Sequence, residues 1–262
     1  MGWNFLLIFF IAALILSSVG FYKYVYFLSI GYGFAIAGLG IVLFALFAKQ
    51  MASINVVECL LLIVYGARLS GFLLYREIKS ASYRATMKND IKVDKPIPFF
   101  VKLSIWIFCS VLYDIQVTPV FYRIYNGSTD IVLPIIATCL SVVALVIETL
   151  ADIQKDKQKK ENPHKVATRG LYRIVRCPNY FGEILFWTGV FVGGITTYKN
   201  VGQWIIAVLS YVSIVYIMFN GAQRLEKRQM RHYGNDEEYK AYVSKTPIII
   251  PGLPIYHLNK QN

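Results

Sequence analysis

Seven stretches of about 20 residues, nearly free of charge, leave this chain few folds to choose from. They run approximately from Trp3 to Tyr22, Tyr24 to Ala48, Ile54 to Tyr75, Phe99 to Phe121, Ile131 to Ala151, Tyr180 to Thr197 and Trp204 to Asn220. A helix needs roughly that length to cross a hydrocarbon core of about 30 Å. The composition agrees: 56% of the 262 residues are hydrophobic, more apolar surface than one water-soluble core can hide. The runs are continuous rather than alternating, and a helix satisfies every backbone hydrogen bond within its own segment, so helices are expected rather than a β-barrel. The predicted fold is an all-α polytopic membrane bundle of about seven transmembrane helices, taken as a single domain over 1–262. The first run has no basic segment before it and leads straight into the second, so it reads as a retained helix and not a secretory signal. Asp114 and Pro119 interrupt the fourth run.

The charge is +12, and its placement says more than its size. Of 27 Lys and Arg, seven lie between Arg76 and Lys102, eight between Lys155 and Arg176, and seven after Asn220. These, with Lys23, fall on one side of the bilayer if the N-terminus is on the other, leaving Lys49, Arg123 and Lys199 to face away. The positive-inside rule then predicts an external or lumenal N-terminus and a cytosolic C-terminus, in the endoplasmic reticulum or a bacterial inner membrane. Basic loops of this kind attract anionic headgroups, so membrane lipids and not nucleic acid are the expected partners of the charge. Cys59, Cys109, Cys139 and Cys177 lie singly without CxxC spacing, which points to neither a metal nor a disulfide framework. The pairs Gly31/Gly33 and Gly38/Gly40 have no strand before them and read as close helix packing, not as a dinucleotide fingerprint.

Ionisable groups within membrane runs are costly and so mark candidate sites. Glu58, Arg68, Asp114, Glu148 and Glu183 are of this kind. Tyr65, Arg68, Phe72 and Tyr75 recur at three- and four-residue spacing, which places them on one helical face expected to look into the bundle. A buried structural ion pair, such as Arg68 with Glu148, is the plainer reading of the same charges. Further along, Glu148, Asp152, Lys155 and Lys159 share a side if their helix continues beyond the membrane. The stretch Gly170-Leu-Tyr-Arg173-Ile-Val-Arg176-Cys-Pro178-Asn179-Tyr180-Phe-Gly182-Glu183 follows. Pro178 suits a first helical turn, whose free N–H groups attract anions, and Arg173 and Arg176 approach the same place. Finally, Arg224 to Tyr242 reads as a helix leaving the membrane and a short segment folding back, which brings Arg231 and Tyr239 to the same mouth.

The stretch Gly170 to Glu183, preceded by Glu148-xxx-Asp152 and followed by the Arg231 to Pro251 tail, resembles the steroid 5α-reductase-like superfamily, with its bacterial-type relatives and sterol reductases. The resemblance covers roughly residues 60 to 255 and is strongest in the half from about 145 to 255. It implies a membrane enzyme that uses NADPH to reduce a carbon–carbon double bond in a steroid or other unsaturated lipid drawn from the bilayer, without a metal. Carried over residue by residue, it implies a cofactor pocket lined by Asp152, Lys159, Arg173, Arg176, Asn179, Tyr180, Glu183, Arg231 and Tyr239, with Lys155 on the same stripe. Where the family usually has Arg-His-Pro-Asn, this chain has Arg176-Cys177-Pro178-Asn179. Tyr65, Arg68, Tyr75 and Glu148 are the expected substrate-side residues, Glu58 being a further candidate proton donor. The rival expectation is an S-adenosylmethionine-dependent lipid or isoprenylcysteine carboxyl methyltransferase, because those enzymes share a similar Arg-x-Pro-x-Tyr-x-Gly-Glu element.

Overall fold

A computed structural model describes residues 2–79 and 97–259. The loop expected between the third and fourth runs falls largely on 80–96, outside the described residues. The helices are α1 (Trp3–Ser17), α2 (Ile30–Phe47), α3 (Ser53–Lys79), α4 (Phe99–Gln116), α5 (Thr118–Tyr125), α6 (Val132–Glu161), α7 (Pro178–Gly194), α8 (Val201–Tyr233) and α9 (Glu237–Val243). Short 3₁₀ turns join several of them, and the described residues contain no strand. Each of the seven apolar runs lies on helix. Among the described residues, six helices are long and apolar enough to cross a membrane; α7, with 17 residues, is one of the shortest lengths that can. Ile15, Val201 and Tyr216, among others, stay exposed in the folded chain, as lipid-facing side chains must. This is an all-α polytopic integral membrane protein.

The chain divides into two compact units, Met1–Ile135 with Val192–Ser210 and Ile136–Phe191 with Tyr211–Asn262. In the first, α2 packs most extensively on α3, and α1 packs on α2 and α4. Glycine sets the α2–α3 approach: a Cβ on Gly66 would lie 2.2 Å from the Gly33 carbonyl oxygen, and one on Gly33 would lie 2.6 Å from that of Gly66. Two backbones in near contact leave no room for a side chain, which is the close packing that the glycine pairs predict. The fourth run breaks into α4 and α5 because Pro119 lacks an N–H to continue the ladder. The Thr118 hydroxyl occupies the break by donating to the Ile115 carbonyl at 2.6 Å.

In the second unit, α6 continues as one helix to Glu161, as the stripe from Glu148 to Lys159 requires. Helix α7 begins at Pro178, where its fixed φ is preorganised for a first turn. Gly182 and Gly189 let α7 settle on α6, since Cβ atoms there would meet Glu148 Cγ at 2.5 Å and Ser141 Oγ at 2.5 Å. Helix α9 starts from Asp236, whose side chain accepts from the Glu238 N–H, and carries Glu237 and Glu238 in its first turn; both features stabilise a helix N-terminus. Beyond α9 the chain returns to the α7 entrance, where the Arg176 and Cys177 N–H groups donate to Pro247 O and Ile248 O at 2.9 Å each. Ile248 and Ile249 close an apolar cluster with Cys177, Ile184 and Ala222.

Candidate functional site

The polar architecture of the second unit begins on the extended end of α6. Gln154 accepts from the Leu171 N–H at 2.8 Å, and Gln158 accepts from the Thr168 and Arg169 N–H groups at 2.9 Å each. Between them sits Gly170 at φ +69, where a Cβ would meet Gln154 Oε1 at 2.3 Å. The left-handed backbone and the missing side chain are both needed there. Lys159 completes this support: its ammonium donates to Pro163 O, to Lys165 O and to the Tyr233 hydroxyl. An ammonium has three N–H donors, so the expected cofactor cation Lys159 is committed to holding the 163–165 loop.

The loop so held places Tyr172 and Asn179 beside Asp152. Asn179 Nδ2 donates to Asp152 Oδ1 at 2.9 Å, and the Tyr172 hydroxyl lies 3.3 Å from Ala151 O and 3.4 Å from Asn179 Oδ1. Asp152 is buried, so the amide is oriented by a carboxylate from which water is largely excluded. Glu183, one turn into α7 and also buried, accepts from the Trp187 indole N–H at 3.2 Å. Tyr180 is half-buried and packs on the cluster around Cys177.

Arg176 is only 3% exposed. Its Nη2 donates to Glu226 Oε1 at 3.1 Å and to the Tyr256 carbonyl, so much of the guanidinium is spent on the chain itself. Its Nε–H is buried without a hydrogen-bond partner, and so is the Tyr239 hydroxyl. The Tyr239 hydroxyl has the guanidinium as its side-chain neighbour, in a contact short of good hydrogen-bond geometry, while burial raises its pKa above the ordinary phenol value. It therefore stays a neutral O–H donor across the physiological range. Burial likewise pushes the Cys177 thiol up to about 12. Arg173 and Arg231 are exposed, and Lys155 is half-buried with a partner of its own. The arrangement offers donors and positive charge for an anion, and an oriented amide and carboxylates for polar groups.

Of the expected substrate-side residues, Glu148 is buried in the second unit. Tyr65, Arg68 and Tyr75 belong to the first. Tyr65 is fully buried and donates to the Tyr32 hydroxyl at 3.0 Å; Tyr32 in turn stacks on Tyr113 with ring centroids 5.1 Å apart. Arg68 is half-buried and partnered. Tyr75 is 57% exposed, which corrects the expectation that the whole face looks inward. It stands in the last two turns of α3, past the stretch that α2 covers with Gly33 and Gly40.

Three groups carry more of the buried chemistry than the sequence reading assigned to them. Arg123, expected to face water, is 1% exposed in α5. It pairs with Glu58 at 3.9 Å and donates to Asn55 Oδ1 at 3.2 Å, to Gly193 O at 3.3 Å and to Asp130 O. Its position after an apolar run disguised it as a loop cation. Glu226 is the acid partner of Arg176, and its signal was present: it is the one carboxylate between Arg224 and His232. Tyr172 had no signal beyond its place within the motif.

A family model described as "Protein of unknown function (DUF1295)" matches residues 14–246, a range that reaches into both units and includes every residue expected to line the cofactor pocket. No curated protein and no solved structure matches the chain. With the match running from α1 to the end of α9, the chain belongs to the DUF1295 family.

Proposed function

We propose that this protein is a membrane-embedded, NADPH-dependent reductase of a carbon–carbon double bond in a steroid or other unsaturated lipid, its nucleotide held by the second unit. The observation that carries the reading is a pair of buried neighbouring groups, Arg176 Nε–H and Tyr239 O–H, neither of which makes a hydrogen bond of good geometry. A buried donor left unsatisfied costs about 1–3 kcal/mol, and one anionic oxygen accepting from both removes that cost. Arg173 and Arg231 add exposed guanidinium groups, which match phosphate geometry in bidentate fashion and supply more charge than a pyrophosphate alone requires. That surplus favours a cofactor with a 2′-phosphate. Asp152 orients the Asn179 amide, and Glu183 offers an acceptor for a hydroxyl or amide. NADPH, when bound, supplies a hydride for the electron-poor carbon of the alkene. The protein's part is to hold the substrate and a proton, and Tyr65 and Glu148 are the groups assigned to the proton. By the same reading the basic ends face the cytosol, so a tag after Asn262 is cytosolic and one before Met1 is not.

Nucleotide titration of the detergent-solubilised protein tests the assignment. NADPH is expected to bind more tightly than NADH, and S-adenosylmethionine not to compete. Tyr239→Phe removes a hydroxyl whose side-chain neighbour in the folded chain is the Arg176 guanidinium, so the fold persists while NADPH affinity falls about tenfold. Equal affinity for NADH, or tight binding of S-adenosylmethionine alone, sinks the proposal.

A further inference from the structure

The four residues Tyr256–Asn259 behave toward the second unit as a ligand does. Glu226, 3% exposed on α8, takes four hydrogen bonds from them. His257 Nδ1 meets Oε1 at 3.1 Å, and Oε2 accepts from the Leu258 N–H at 2.9 Å, the Asn259 N–H at 3.1 Å and Asn259 Nδ2 at 2.7 Å. A carboxylate only accepts, so His257 carries its proton on Nδ1. In the opposite sense, the Tyr256 carbonyl accepts from Arg176 Nη2. Gln223 finishes the contact by donating to Leu258 O and accepting from Asn259 Nδ2, each at 3.1 Å.

The segment can leave as a piece. It lies in no helix, and the last backbone bond tying the returning chain to itself is Ile248 N–H to Ile255 O at 2.9 Å. Departure would strip Glu226 of four of its donors and free one Nη2 N–H of Arg176, the other staying on Glu226 Oε1, beside its Nε–H. The exposed pair would ask for adjacent hydroxyl donors facing the carboxylate and an anionic acceptor facing the guanidinium. A ribose phosphate has that polarity.

We infer that Tyr256–Asn259 is an internal strap occupying a ribose-phosphate site built on Glu226 and Arg176, and that strap and ligand compete for it. The inference rests on the nucleotide-binding reading above. It adds Glu226 as the acceptor for the ribose diol and makes the strap a brake on binding.

The test compares the full chain, a chain ending at Ile255, and Asn259→Ala, all carrying Cys139→Ser to remove the exposed thiol. NADPH and adenosine 5′-monophosphate are titrated by calorimetry, and N-ethylmaleimide alkylation of Cys177 reports strap opening, because Leu258 packs on the cluster containing that thiol. In the chain ending at Ile255, both ligands should bind about tenfold more tightly and Cys177 should react at least about tenfold faster. Asn259→Ala, which keeps the chain length, should shift both readouts the same way by a few fold. NADPH that binds the full and shortened chains equally, or the shortened monodisperse chain more weakly, overturns the strap while leaving the reductase reading in place. Adenosine 5′-monophosphate gaining affinity in the shortened chain while NADPH binds neither form supports the strap and sinks that reading. Unchanged Cys177 reactivity in both variants overturns the strap whatever the ligands do.

Discussion

In each unit of the molecule an arginine is buried against a glutamate, and these two pairs are built in opposite ways. In the first, the cation is the centre: Arg123 reaches Glu58, Asn55, Asp130 and the Gly193 carbonyl, while Glu58 Oε2 has only the guanidinium at 3.9 Å and no hydrogen bond. In the second, the anion is the centre: Glu226 collects five donors, while Arg176 keeps an unsatisfied Nε–H. A buried ion pair is worth what its surrounding hydrogen bonds make it worth, because desolvating the two charges consumes most of the Coulombic gain. The same residue types therefore serve as a fastening in one unit and as a receptive surface in the other.

Removing the centre of the first pair should have the largest effect. Arg123→Ala leaves Glu58 buried without its cation and frees two backbone carbonyls, a loss on the order of 3–5 kcal/mol. It should appear as a collapse in the yield of monodisperse protein in detergent. A variant that melts within a degree or two of wild type would show that Arg123 is no fastening. Glu226→Gln should come next, at about 1.5–3 kcal/mol, since one of the two charged acceptors is replaced by a donor facing other donors. Its apparent melting temperature should drop clearly. Gly170→Ala should lower it too, by roughly 1–2 kcal/mol, through the left-handed backbone and the contact with Gln154. Glu58→Gln should do least, under about 1 kcal/mol, because no hydrogen bond to Oε2 is lost. If Glu58→Gln proves as damaging as Glu226→Gln, the contrast between the two centres is wrong.

The fold was legible wherever a local rule controlled it. Apolar runs, the glycine pairs, the start of α7 at Pro178 and the continuation of α6 past the membrane all follow from spacing and backbone chemistry within a few residues. The candidate site was legible only as an inventory. Asp152 and Asn179 meet as neighbours, but nothing in the local pattern could show that Arg176 is engaged by Glu226, 50 residues away, and by Tyr256, 80 residues away. Arg123 and Tyr75 were misplaced for related reasons. Periodicity names the face of a helix but not how far along that face a neighbour extends, and α5, at eight residues, is too short to announce itself by period.

Lys159 has a practical side that follows from its three acceptors. An amine whose every N–H is engaged, and which also lies 5.2 Å from the centre of the Tyr233 ring, is a poor target for acylating reagents. Surface footprinting with such a reagent should mark exposed neighbours such as Lys157 and Lys160 and pass over Lys159. Its labelling would then be a sensitive alarm that the loop from Pro163 to Lys165 has come undone, a readout usable in intact membranes where no melting curve can be recorded.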